Sequence, residues 1–422
     1  MNDFKKITFP NGLRLISVQD KTSEAITVLI LVATGSKYET KETSGISHLL
    51  EHMLFKGTKA KPTPIDIVEP LDRVGGVYNA FTGEEYTGYF AKVSADNFDL
   101  ALDTISDIYL NSKLDEKEMQ KEKGVIIEEI NMYLDHPSFY VQTLWTKLLY
   151  GDQPAGWDIA GKKETVAKIT KAQLAKYIES QYVASNTVVC VAGNVPNEKE
   201  LVLKIKKHFS NISTKSPRKK IAVIEKQSKP EVLLYNKKTD QTHFCLGARG
   251  YNMFDKRRYA QEILSSILGG MMSSRLFIKI REELSLCYYI KTNSSSDTDT
   301  GFLVSQTGAD NSRVPKAITE ILKEYKKISE VEVPSNELRK AKDNLKGKMA
   351  LMLETSDAQA SFYGMQELLE NKVLAPKEIY GKINKVTKRD ILNLSSDIFK
   401  PEKLNLALIG PFEDKQKFQN LI

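Results

Sequence analysis

The sequence predicts an α+β protein of two related domains, each made of strands and helices. Three observations carry this expectation. At 422 residues the chain exceeds what one ordinary hydrophobic core holds. Strand-like and helix-like segments run to about residue 210, pause, and then begin again. Finally, Asp115–Ile130 lies over Pro334–Met349 without a gap, pairing Glu118 with Glu337 and Met119 with Leu338, as a diverged duplication would.

The elements follow in order. Lys6–Phe9 and Leu13–Val18 form the arms of a hairpin around the turn Pro10-Asn11-Gly12. Ala25–Ala33 is apolar and rich in β-branched residues, which makes it a buried strand. Thr43 and Ser44 are placed to cap a helix whose apolar positions are Ile46, Leu49, Leu50 and Met53. A second helix begins after Pro64 and is ended by Gly75-Gly76. Strands follow at Val77–Thr82 and Tyr86–Val93, then a helical region from Asp96 to about Leu134, broken near Asn111-Ser112. Thr187–Ala192 is a further strand. Residues 213–230 mix Ser, Thr and Pro with a basic cluster and no periodicity, so they read as a linker. Beyond it come strands at Glu231–Tyr235 and His243–Gly247 and a helix at Arg257–Leu268, giving domains at 1–212 and 231–422.

Composition narrows the function classes. The net charge of +7, from 61 basic and 54 acidic residues, is spread along the chain. The run Arg218-Lys219-Lys220 has no interleaved aromatic residues, so it reads as solvated surface and implies no nucleic-acid partner. Cys190, Cys245 and Cys287 are too few and too far apart for a disulfide framework, and Cys190 reads as a buried core thiol. The apolar run Ala25–Ala33 is half the length of a bilayer span. No signal-like apolar stretch follows the N-terminal hexapeptide Met1–Lys6, so the expected setting is cytoplasmic, without a membrane partner.

Two of the five histidines fall in His48-Leu49-Leu50-Glu51-His52. Four residues apart on a helix, their imidazoles share a face and can converge on one ion. Glu51 is placed to reach a water on that ion without ligating it, and to take its proton. Two ligands are one short of the usual catalytic set. Downstream, Glu122, Glu128 and Glu129 offer carboxylates. Glu122 and Glu129 are seven apart and project from one side, with Val125 and Ile126 between them toward the buried side; Glu128 points away and reads as solvated. The duplicated helix has Ala341 and Lys348 opposite Glu122 and Glu129, and the second half has no paired histidines. One metal site per chain follows.

With HxxEH and this glutamate pair, the sequence resembles the pitrilysin or insulinase-like zinc metallopeptidases, the inverted-motif zincins. Its length is similar to the short, processing-peptidase-like branch. The resemblance covers essentially the whole chain and implies that each domain is an antiparallel sheet packed with helices. It implies that Zn2+ is bound by His48, His52 and Glu129, the last separated from His52 by 76 residues. Glu122 then supports a ligand imidazole, and Glu51 is the catalytic base. The segment Gly75–Thr82 is similar to the family's substrate-binding edge strand, with Asn79 and Ala80 contacting the backbone of an extended peptide. Arg281 and Tyr288, seven residues apart in the metal-free half, match the pair that meets the substrate carbonyl, with Tyr289 as the rival phenol. The expected activity is endopeptidase cleavage of unstructured peptides in a chamber enclosed by two chains, most simply a homodimer. The competing expectation is a non-catalytic partner subunit of the same fold.

Overall fold

The computed structural model describes residues 4–422; Met1, Asn2 and Asp3 of the N-terminal hexapeptide lie outside the described residues. Among the described residues eleven strands form two sheets. The first contains β1 (Phe4–Thr8), β2 (Arg14–Gln19), β3 (Ala25–Val32), β4 (Val77–Thr82), β5 (Thr87–Ser94) and β6 (Thr187–Gly193), ordered β1-β2-β6-β3-β5-β4. The second contains β7 (Glu231–Asn236), β8 (Gln241–Arg249), β9 (Cys287–Ser296), β10 (Gly301–Asp310) and β11 (Leu404–Gly410), ordered β7-β11-β8-β10-β9. With β1 set aside, the two orders are the same. Each sheet is antiparallel except for one parallel pair, β2 with β6 and β7 with β11. The duplication inferred from one helix therefore extends to strand order and strand direction.

The apolar character of β3 has a simple cause. Successive side chains of a strand point to opposite faces, and both faces of β3 are covered. Ile26, Val28, Ile30 and Val32 join a core with helices α1 (Ile46–Leu54), α2 (Pro64–Arg73) and α3 (Phe98–Asn111). Leu29 and Leu31 face the other way, with Ile16, Val18, Val188, Cys190 and Ala192, onto Ala360, Tyr363 and Leu368 of the helix Ser356–Glu370. That helix lies close because Gly364 has no Cβ; one there would stand 2.4 Å from Cys190 Sγ. Glu367 of the same helix is fully buried and pairs with Arg14 and Lys6. In the second sheet, Cys245, Val304, Ala407 and Ile409 are covered by Val141, Leu144, Trp145 and Leu149 of α5 (Pro137–Tyr150).

The compact units are therefore not colinear with the chain. One comprises the described residues of Met1–Ile130, with Asp158–Ile221 and Ala350–Pro376. The other comprises Asn131–Trp157, Ala222–Met349 and Lys377–Ile422. A division at 212 and 231 follows the sequence; packing differs from it because α5 and Ser356–Glu370 each cover the sheet built mainly from the other half's strands. Residues 213–230 carry no helix and no strand beyond a bridge at Ser213, and one of the five crossings between units, at Ile221/Ala222, falls within them.

Three local readings need correction. Thr43 and Ser44 do not cap α1. Its N-cap is Gly45, at φ 94°, and the end is held by the Glu39 carboxylate, which accepts from the N–H groups of Gly45 (2.7 Å) and Ser47 (2.9 Å). On α4 (Glu116–Asp135), Ile126 is buried but Val125 is exposed, because the buried stripe runs through Met119, Glu122, Lys123 and Ile126. Lys220 is not a solvated lysine: its side chain is mostly covered and pairs with Glu85. The remaining elements fall within a few residues of their expected places, and the helical region breaks between α3 and α4 as read. No described helix is long and apolar enough to cross a membrane.

Candidate metal centre

Helix α1 buries Ile46, Leu49, Leu50, Met53 and Leu54, which turns His48, Glu51 and His52 to its one partly open side. Glu129 approaches from α4. Its Oε2 stands 3.6 Å from His48 Nε2 and 3.8 Å from His52 Nε2. All three ligand atoms lie within 4.8 Å of one another. Two atoms each about 2.1 Å from one tetrahedral ion stand roughly 3.4 Å apart, so the spacing suits a shared cation better than direct hydrogen bonds. Among the described residues His48 Nδ1 is buried without a hydrogen-bond partner, and Nε2 is the nitrogen that faces Glu129. Two imidazoles and a carboxylate are a donor set suited to zinc.

The electrostatics follow from burial and neighbours. Burial, with His52 adding repulsion, pulls the pKa of His48 down to about 4, leaving the ring neutral and ready to ligate at physiological pH. Burial pushes Glu129 up, opposed by His52 and reinforced by Asp158. Burial also raises Glu51, while a hydrogen bond from Thr82 Oγ1 to its Oε2 at 2.6 Å pulls the other way. Glu122 is nearly buried. Burial alone would raise its carboxyl, yet it is held low by hydrogen bonds from His52 and Lys56. Its Oε2 meets His52 Nδ1 at 3.0 Å and its Oε1 meets Lys56 Nζ at 2.8 Å, which leaves His52 Nε2 facing Glu129. Glu128 is exposed on its helix, as read.

Thr82, Lys56 and Glu39 escaped the sequence reading. Lys56 had a signal, one helical turn beyond His52. Thr82 and Glu39 had none, because a strand end and a loop are brought to α1 only by the fold.

Strand β4 is an edge of its sheet, paired on one side with β5. The Ala80 N–H is bonded by the side chain of its neighbour, Asn79 Oδ1, at 2.9 Å, which places this amide on the free edge. In the other unit, Arg281 lies on the π-helical turn Phe277–Glu283, with its guanidinium 4.6 Å from the Phe277 ring centre and 5.5 Å from that of Tyr288. Tyr288 is 79 % exposed. Tyr289 is engaged elsewhere: its hydroxyl meets His243 Nδ1 at 2.9 Å and the two rings stack. The geometry thus separates the two adjacent phenols.

Two sheet-and-helix units of one topology, with a two-histidine and one-carboxylate cluster in the first, define the class as a duplicated metallopeptidase fold. The chain belongs to the insulinase family, peptidase family M16. Residues 14–163 match that family's description, and residues 168–345 match the one for the M16 inactive domain. The chain is 36 % identical over 408 residues to the uncharacterized zinc protease YmxG of Bacillus subtilis, covering 96 % of this chain and 98 % of that protein. An uncharacterized zinc protease of Streptomyces coelicolor is 31 % identical over 420 residues, covering 98 % of this chain and 90 % of its own length. Among solved structures, a protease from Helicobacter pylori superposes with a TM-score of 0.90 at 24 % identity, covering 97 % of this chain and all of that one. A peptidase M16 inactive domain from Pseudomonas fluorescens gives 0.89 at 15 % identity over 97 % of this chain and 99 % of its own. These two likenesses establish the fold.

Proposed function

We propose that this protein is a zinc-dependent endopeptidase acting on unstructured peptides. The observation that carries the reading is the convergence of His48 Nε2, His52 Nε2 and Glu129 Oε2, with Glu51 on the same helix. When bound, zinc supplies a Lewis acid that lowers the pKa of water and polarises a peptide carbonyl. Glu51 takes the proton of the attacking water and passes it to the leaving amine. Thr82 engages Oε2 of that carboxylate, so Oε1 is the atom that receives the proton. Glu122, anchored by Lys56, keeps His52 in the tautomer whose Nε2 can ligate. The free edge of β4 pairs with an extended peptide, and Ala80 exchanges its bond to Asn79 for one to substrate. Arg281 and Tyr288 offer a cation and a phenol to a developing oxyanion.

The full reading, including a homodimeric assembly by family resemblance, makes simple demands. Purified protein should cleave a quenched fluorogenic peptide, a chelator should abolish cleavage, and zinc should restore it. Glu51→Gln should bind zinc normally and lose roughly a hundred- to ten-thousand-fold in kcat; full activity in that variant would remove Glu51 as the base. Light scattering should return twice the mass of the chain, and a monomer that retains full activity would remove the dimer.

A further inference from the structure

The turn joining β4 to β5 is gripped by buried charge. Glu85 lies in that turn with its side chain 3 % exposed, and its Oε1 accepts from two ammonium groups. One is Lys37, at 3.4 Å and 2 % exposed, on the short turn Ser36–Tyr38. The other is Lys220, from the segment between the two halves. The backbone docks the same turn, with Ser36 N–H donating to Gly83 O (3.3 Å) and Lys37 N–H to Glu84 O (2.9 Å). Approach is close enough that a Cβ on Gly35 would stand 2.1 Å from Gly83 O. The stretch before Lys220 is itself fixed: Arg218 N–H donates to Ser180 O (3.0 Å), and Gln181 Nε2 donates to Arg218 O (3.2 Å). Immediately ahead of the turn stands Thr82, which donates to Glu51.

We infer that Glu85 and Lys220 are positioning residues for the peptidase reaction. With Lys37 they lock the β4–β5 turn in the place from which Thr82 holds Glu51 and β4 presents its free edge. A buried carboxylate shared by two ammonium groups is tolerated only in the arrangement that pairs all three, so the cluster specifies one turn geometry rather than merely adding stability. This inference rests on the peptidase reading of the site, and it gives the segment between the halves a task at the catalytic strand.

The test uses Lys220→Met, which leaves Lys37 and Glu85 paired, with Lys220→Arg as the conservative control. In zinc-free protein, amides of residues 77–94 should exchange with solvent about tenfold faster in Lys220→Met, while those of α1 keep the wild-type rate. Loaded with zinc to the wild-type content, the variant should lose about tenfold in kcat/KM, and Lys220→Arg should recover both readouts. In a Thr82→Val background, Lys220→Met should cost less than about twofold more, because the two act through one contact. Unchanged exchange in Lys220→Met, or losses that multiply with Thr82→Val, would overturn the positioning role alone. Wild-type protein that binds zinc yet cleaves no peptide would overturn the peptidase reading, and the role with it.

Discussion

His48 shows how much one buried side chain can decide. Its folded pKa of about 4 lies below the unfolded value near 6.5, because burial disfavours the imidazolium and His52 adds to it. Between those values the unfolded chain binds the extra proton. Stability of the zinc-free protein is therefore fully present above about pH 6.5 and is lost as pH falls through about 4, by at most about 3 kcal/mol. Urea midpoints of chelator-treated protein should drop over that range, and His48→Gln should drop clearly less; parallel curves would remove His48 as the cause. At this scale much of the site was legible. His48, Glu51 and His52 occupy five consecutive residues of one helix, and Glu122 and Glu129 sit two turns apart on another. Thr82 and Glu39 were not legible, because nothing local to them points at α1.

Among the elements, β4 is the one whose geometry bears most directly on the proposed chemistry. Its inner side is used in pairing with β5, while the Ala80 amide is turned outward and bonded only by its neighbour's side chain. Ala80→Pro removes that amide without breaking the ladder to β5, and an edge strand tolerates proline on its open side. The expected outcome is a folded, zinc-loaded protein whose kcat/KM falls at least about tenfold, mainly through KM. Unaltered kinetics would mean that peptides do not add to this edge. Helix α1 makes a complementary point. Its apolar spacing placed it correctly, yet its start was misassigned to Thr43 and Ser44 because a buried carboxylate from a preceding loop outcompetes them.

For the whole molecule, the exchange of covering helices governs what can fold alone. Residues 1–212 contain every strand of the first sheet but lack Ser356–Glu370, so Ile16, Val18, Leu29, Leu31 and Val188 would face water. Each such side chain is worth about 1.5–3 kcal/mol when buried, so their exposure outweighs the stability of an ordinary domain. A fragment of residues 1–212 should aggregate or bind a hydrophobic dye, and co-expression of residues 213–422 should rescue it. If that fragment is instead soluble and unfolds cooperatively, the exchanged helix is dispensable. The separation of Tyr288 from Tyr289 also belongs to this scale, since it depends on His243 being delivered by β8, across β10 from Tyr289 on β9.

By itself the sequence determined the class of fold, the duplication, the family and the residues proposed here as metal ligands. Those properties are written in periodicity and in short spacings along single helices, where chain distance and spatial distance agree. Only the tertiary structure decided which helix covers which sheet, what holds Glu51 and His52 in place, and why the basic cluster before the second half is partly buried. In each of these the partners lie tens to hundreds of residues apart, and which polar groups are buried together is something no local pattern reports.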